Sequence, residues 1–440
     1  MEQKQTTEPK NFLFVSIEGL IGDIAWQVVK EGHNVKYFIE NAEEKEVSDG
    51  FVPKIDDWEK EVDWADVIIF DDVLGHGTKA KAMRDKGKFV IGGTPYADLL
   101  EDDRAFGQEE LKKHGVPIIP YKDFTSFDDA IAFVTENPGK YVIKPSGQAA
   151  NIKGLLFIGE EEDGKDVLQV LGDYKKAWAK KIPQFQLQKK ITGVEIAVGG
   201  FFNGKEFIYP INVNFEHKKL FPGNLGPSTG EMGTAMFWSG PNKIFNLTLK
   251  KMEETLAKEN YHGYIDVNCI VNGNGIYPLE FTARFGYPTI SIQQEGMIDP
   301  IGEFLYELAK GTATKIRARS GFQVGVRIVV PPFPFEDMET FEVKSKDSIV
   351  YFNKGKNGEG MPGVHIEDVK LVDEEWVITG TSGVILIVCG LGQTMKQAQN
   401  QVYTRISNII IPHMYYRTDI GDRWYEDSDK LHNWGYLRES

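Results

Sequence analysis

The chain has 440 residues, 41% hydrophobic and 26% charged, the balance of an ordinary globular protein with several domains at roughly 100–200 residues each. Its 50 basic and 65 acidic side chains leave a net charge of −15, which argues against nucleic acid or an anionic membrane as the main partner. Two cysteines, Cys269 and Cys389, lie in apolar strand-like runs, and eight histidines show no HxxH or HExxH pairing, so a disulfide framework and zinc catalysis are both disfavoured.

No stretch reaches the ~20 apolar residues that span a bilayer. The polar residues Met1 to Lys10 lack the apolar core of a signal peptide and are expected to be a disordered leader. A cytoplasmic location follows as an expectation. The strand-like Phe12–Ile17 runs into Gly19 and Gly22, then a helical pattern through Val29, then the strand Val35–Ile39. Val67–Phe70, a helix over Lys79–Lys86 and Phe89–Ile91 repeat the alternation. It predicts a parallel α/β domain over residues 1–100, with ligands beyond the carboxyl ends of the strands, at Glu18-Gly19, Asp71-Asp72 and Gly92–Thr94.

From Glu101 the pattern changes. It predicts helices over Arg104–His114 and Phe127–Glu136, and strands over Val116–Pro120 and Tyr141–Lys144. Asn203-Gly204 and Asn272–Gly275 read as hairpin turns. A region of 101–320 with a lobe at about 121–190, then a small α+β domain over 321–440, completes the expected layout.

Gly199–Lys205 imitates a P-loop, but Glu206 stands where a Mg²⁺-binding hydroxyl belongs, and the glycines flank a hairpin turn. Lys144, ending an apolar strand, is followed by a small-residue loop that runs through Lys153; the pair suits a polyphosphate, or an ordinary exposed turn. Strand alternation places Glu280, Thr282 and Arg284 on one face, and Asp266 and Asn268 on one face of the preceding strand. Such oxygen donors suit Mg²⁺ held together with substrate phosphates, although a charged strand face is more often plain solvated surface.

Lys144, the loop after it, Glu195 and Glu280–Arg284 resemble the ATP-grasp ligases. Within that superfamily the chain resembles the phosphoribosylamine–glycine ligase family, through Gly92–Asp98 with Asp103–Phe106, Gly226–Gly233 (family GPNTGGMG), Gly390–Thr394 and Tyr416–Gly421. The resemblance implies an α/β and α+β multidomain fold: an amino-terminal parallel domain, a two-lobed ATP-grasp core and a small carboxyl-terminal domain. It implies ATP and Mg²⁺ as cofactors, with Mn²⁺ as an alternative, and small carboxylate and amine substrates joined through an acyl phosphate. A monomer or weak homodimer is expected. Lys144 would hold the α- and β-phosphates, Lys153 the lid, Arg104 part of the nucleotide pocket, Gln188 and Lys189 the adenine hinge, and Glu195 the ribose hydroxyls. Glu280 would bridge metal, and Arg284 would stabilise the transferring phosphoryl group.

The departures concern the substrates. Thr282 replaces the family's metal-binding asparagine, and Tyr287 and Thr289 replace two acidic residues near the amino-acid end. The phosphate-receiving amino-terminal loop has gained Glu18 and Asp23, which would repel a phosphate. His217 and Lys218 are candidates to bind an anionic group or deprotonate the amine, and Ser228 and Thr229 lie in a loop shaping the pocket. These readings favour a ligase with altered substrate pockets. The alternatives are a standard phosphoribosylamine–glycine ligase of purine biosynthesis and a catalytically inactive nucleotide-binding module.

Overall fold

A computed structural model describes residues 8–146, 149, 155–353 and 361–438. The loop expected to carry Lys153, and most of the expected leader, lie outside the described residues. Two compact units divide the chain: Met1–Val116 with Glu195–Cys269 and Glu280–Ser440, and Pro117–Val194 with Ile270–Leu279.

The larger unit opens with β1 (Asn11–Ser16), β2 (Asn34–Ile39), β3 (Val67–Phe70) and β4 (Phe89–Ile91). They pair in parallel in the order β2-β1-β3-β4. All four residues of β3 are buried, as expected for a parallel strand covered on both faces. Thr94 caps the helix Pro95–Asp102 and Asp103 caps Arg104–Lys113, each side chain accepting from a backbone N–H in the first turn.

The smaller unit has β5 (Tyr121–Phe124), β6 (Tyr141–Pro145), β7 (Phe157–Ile158) and β8 (Phe185–Lys189), antiparallel in the order β5-β8-β6-β7. Its own core gathers Phe124, Phe127, Val134, Ile143, Val167, Leu171 and Phe185 from the sheet and its two helices. The strand expected over Val116–Pro120 starts later, at Tyr121.

The main sheet contains eight strands in the order β15-β14-β9-β10-β13-β16-β21-β18. They are β9 (Val194–Asn203), β10 (Phe207–Glu216), β13 (Gly233–Ser239), β14 (His262–Asn272), β15 (Gly275–Thr282), β16 (Phe322–Val329), β18 (Val364–Ile366) and β21 (Val384–Gly392). The short hairpin β11 (Lys219–Phe221) and β12 (Leu225–Ser228) follows β10. A smaller sheet, ordered β19-β20-β17-β22, holds β17 (Ile349–Phe352), β19 (Val369–Val372), β20 (Glu375–Ile378) and β22 (Ile409–Ile410). Both expected hairpin turns are present, and Gly199–Lys205 runs along β9 into one of them, which disposes of the P-loop resemblance.

The expectation of a separate domain over 321–440 is corrected. β16 pairs with β13, and seven of its eight residues are buried, so the carboxyl-terminal strands complete the sheet that β9 and β10 begin. Helix Met395–Ile406 lies so close to β21 that a Cβ on Gly390 would meet the Ala398 carbonyl oxygen at 2.3 Å. Trp376, 1% exposed, stacks edge-on against Trp26, Phe51 and Phe352 at 5.7, 5.1 and 5.1 Å, joining the first helix to the small sheet. Trp376→Ala should therefore cost about 3–5 kcal/mol in urea denaturation. A loss below about 1 kcal/mol would mean that this aromatic junction is not a core.

Candidate active site

Four neighbouring strands of the main sheet each contribute one polar side chain to a row: Glu280 from β15, Asn268 from β14, Glu195 from β9 and Glu216 from β10. Lys218, just past the end of β10, sends its Nζ into that row. It lies 3.1 Å from Glu195, 3.3 Å from Glu216 and 3.2 Å from Glu280. Asn268 donates to Glu216 at 3.0 Å, and Arg104 lies 3.3 Å from the other Glu280 oxygen. Burial alone would lower the Lys218 ammonium, but Glu216, Glu280 and Glu195 outweigh it and hold it well above its usual range. Burial raises Glu216, and Glu195 and Glu280 push it further up against Lys218.

This arrangement corrects one role expected of Lys218. An ammonium held so firmly cannot take a proton from an amine, but it can pair with an anion. His217 is corrected too. It is 2% exposed, Gly421 N–H donates to its Nε2, and burial drives it down to about 3, so it stays neutral. Thr229 turns inward, its N–H and hydroxyl both donating to the Lys218 carbonyl at 2.7 and 2.9 Å, whereas Ser228 is exposed. The Tyr416–Gly421 segment holds the neighbouring turn. Arg417, 1% exposed, pairs with Asp419 and donates to the Lys219 carbonyl, and Asp419 accepts from Gly223 N–H.

The expected metal donors separate into two groups. Asp266 is 2% exposed and hydrogen-bonded with Thr282 and Tyr264; burial, with Glu216 and Glu101, raises its carboxyl well above the usual range. It lies deeper than Glu280. Glu280 and Asn268 remain, and the buried Asn268 Oδ1 has no hydrogen-bond partner. Among the described residues no group of three or more His, Cys, Asp or Glu side chains could hold a metal alone. A carboxylate with one orphaned amide oxygen fits Mg²⁺, which shares its shell with phosphates and water.

Arg284 pairs with Glu101 at 3.1 Å and lies 5.3 Å over the Tyr287 ring, whose hydroxyl donates to the Asp71 carbonyl. Burial would lower its guanidinium, but Glu101, Tyr287 and Asp72 raise it. Thr289, 2% exposed, starts a helix and is corrected from a pocket residue to a packing one. Asp23 is corrected as well. It is 4% exposed and accepts from His365 Nδ1 at 2.8 Å, Ile366 N–H, Ser291 and Gln294, so no free charge is left to repel a phosphate. Glu18 does stay exposed; partial burial and repulsion from Asp72 and Glu336 raise it.

In the smaller unit Lys144 lies on β6 opposite Gln186 of β8, while Gln188 is buried and Lys189 exposed on β8. Sequence reasoning missed Glu216, Glu101, Asp72 and Arg417. Asp72 stands at a strand end and Arg417 within Tyr416–Gly421, but the partners of all four are set by contacts distant in sequence.

These are the features of an ATP-grasp protein: a large antiparallel sheet carrying a carboxylate row, and a small antiparallel lobe with a strand-borne lysine. Residues 102–290 match the family model described as phosphoribosylglycinamide synthetase, ATP-grasp (A) domain. Phosphoribosylamine–glycine ligase of Listeria monocytogenes (serovar 1/2a, strain EGD-e) is 24% identical over 385 residues, 83% of this chain and 86% of the relative. That of Streptococcus pyogenes serotype M1 is 25% identical over 377 residues, 83% and 85%. The Thermotoga maritima phosphoribosylamine–glycine ligase structure covers 93% of this chain and 100% of its own, with TM-score 0.67 and 20% identity. A Hydrogenobacter thermophilus biotin carboxylase domain, solved with MgADP and bicarbonate, shares the fold at TM-score 0.63, 15% identity and coverage of 98% and 100%. Residues 102–290 thus match the ATP-grasp domain of that family, and the chain is similar to phosphoribosylamine–glycine ligases over most of its length.

Asp71 yields a test of these buried carboxyls. It is fully buried, and burial and the adjacent Asp72 push it up to about 8 against hydrogen bonds from Ser16 and Ile17. An unfolded aspartate titrates near ~3.9, so between about pH 4 and about 8 the native state keeps a proton the unfolded state has lost. Stability should fall as pH rises through that window. In thermal melts across it, Asp71→Asn, neutral throughout, should flatten the fall; an unchanged slope would mean that Asp71 is ionised in the fold.

Proposed function

We propose that the chain is an ATP-dependent ligase that joins a carboxylate to an amine through an acyl phosphate, with an amine pocket built for a cation. The observation that carries the ligase reading is the Lys218 row with Glu280. A carboxylate is a poor electrophile, and phosphoryl transfer depends on positioning and charge neutralisation. The acid's oxygen attacks the γ-phosphorus and ADP leaves; the amine nitrogen then attacks the acyl carbon, phosphate leaves and a proton is lost to water. Lys218 and Arg284 supply fixed positive charge for the oxygens of the group in transit. Arg104 holds one edge of Glu280. Glu280 and Asn268 would hold Mg²⁺, whose chemistry there is neutralisation of the phosphate oxygens.

The amine pocket is argued from Asp72. Burial raises Glu18, Asp71, Asp98, Glu101 and Asp102, and the charge of Asp72 raises each further. Glu18, Asp71 and Asp72 stand at the carboxyl ends of β1 and β3, where ligands of parallel sheets bind, and the other three on the helix Pro95–Asp102. The cation set against them is Arg284, already paired with Glu101. Such a cluster attracts a cationic amine and disfavours a phosphorylated one. The relatives' name supports the second reading, a standard ligase for phosphoribosylamine and glycine.

An ADP-release assay with acids and amines, singly and in pairs, should show turnover only when both are present. Freshly generated phosphoribosylamine with glycine should give kcat/KM below the ~10⁴ M⁻¹s⁻¹ of ordinary enzymes. A higher value would establish the standard ligase instead, and no turnover with any pair would leave a nucleotide-binding module. Glu280→Gln should melt like the parent yet lose about 10²–10³-fold in kcat. Near-normal turnover would remove Glu280 from the transfer step.

A further inference from the structure

The acid substrate's own ammonium poses a separate question. Tyr287 and Thr289 occupy the positions where the resembled family has acidic residues. The first is spent on Arg284 and Asp71, and the second is buried in packing. Neither offers negative charge. Glu231 does. It stands in Gly226–Gly233, where the resembled GPNTGGMG loop has glycine, in a segment paired through Met232 with the backbone of His217 and Arg327.

Glu231 is 5% exposed, and its buried Oε1 has no hydrogen-bond partner. A buried oxygen left without a donor is costly, and a ligand that donates to it recovers that cost. Arg327 does not satisfy it. That guanidinium donates to the Glu231 backbone carbonyl at 3.2 Å and lies 3.9 Å from Glu367. Four charged groups act on the Glu231 carboxyl: Glu216, Arg327, Lys218 and Asp266. Geometry ties its loop to the row: on either side of Glu231, Thr229 N–H donates to the Lys218 carbonyl and Met232 N–H to the His217 carbonyl, so Glu231 lies beside the turn that carries Lys218.

We propose that Glu231 receives the ammonium of the acid substrate, which makes that substrate an amino acid; the proposal rests on the ligase reading above. Burial and the neighbouring Glu216 raise the empty carboxyl well above its usual range, against Arg327 and Lys218. It waits protonated. An arriving ammonium replaces the proton, which passes to solvent, so binding of an amino acid is coupled to proton release.

The test uses the full chain with MgADP and calorimetric titration of two acids that differ in one group, glycine and glycolate. Wild type should bind glycine at least about tenfold more tightly, ~1.4 kcal/mol. Glycine binding should also release protons, read as a heat that changes with the buffer's ionisation enthalpy. E231Q should abolish both the preference and the proton release while leaving ADP affinity unchanged. E231D keeps the charge on a shorter arm and should retain part of the preference, which keeps the test decisive if E231Q does not fold. A preference that survives in E231Q, a wild type without one, or binding of neither acid would overturn the assignment. Failure of the ligase reading is seen separately, as ADP release that does not require an acid together with an amine.

Discussion

Three carboxylates gathered on one face of a sheet repel one another, and Lys218, in contact with Glu195, Glu216 and Glu280, offsets that repulsion. Removing such a counter-ion would leave uncompensated charge at a half-buried site, a penalty that commonly exceeds the worth of the pair itself. Much of the larger unit serves this one contact. The order β15-β14-β9-β10 aligns the row, and Asn268 on β14 stands between the strands of Glu280 and Glu195 while donating to Glu216. Arg417 pins the turn after Lys218, and Thr229 fixes the Lys218 carbonyl. The ammonium is thereby aimed from both its strand end and its following hairpin.

How much of this could be read in advance depended on sequence distance. Alternation placed Glu280 and Asn268 correctly on their strands, and the turns at Asn203-Gly204 and Asn272–Gly275 marked the hairpins. The parallel amino-terminal sheet followed from hydrophobic runs that need no distant partner to be recognised. The row itself did not follow. Glu216 becomes its fourth member because β9 comes to lie between β14 and β10, which no local pattern encodes. Asp23 was misjudged for the same reason: its ion-pair partner His365 is 342 residues away in the chain. The domain expected after residue 321 vanished into the main sheet because β16 found its edge on β13.

Asp23 also shows what burial does to the meaning of a charge. The same residue type at the mouth of a cleft repels a phosphate, but inside the fold its carboxylate is consumed by His365 and three further donors. In the proposed reading the amine pocket centres instead on Asp72, whose charge adds to the burial that raises Glu18, Asp71, Asp98, Glu101 and Asp102.

Carboxyls crowded in this way are not inert. Each is closer to neutrality than a solvated one, so a cation that enters recovers both the Coulombic attraction and the ionisation that crowding had suppressed. In the proposed reading a phosphate that enters meets the opposite: it faces those carboxyls with Arg284 as the opposing cation, which already pairs with Glu101. The same logic separates the two ends of the catalytic row. At Lys218 a positive charge is fixed among carboxylates by its strand end and hairpin; at Asp72 the carboxyls gathered at the end of β3 suit, in the proposed reading, a cation. An enzyme that activates an acid with phosphate and then admits an amine needs both polarities within one cleft, and here they are set by different strands of the same unit.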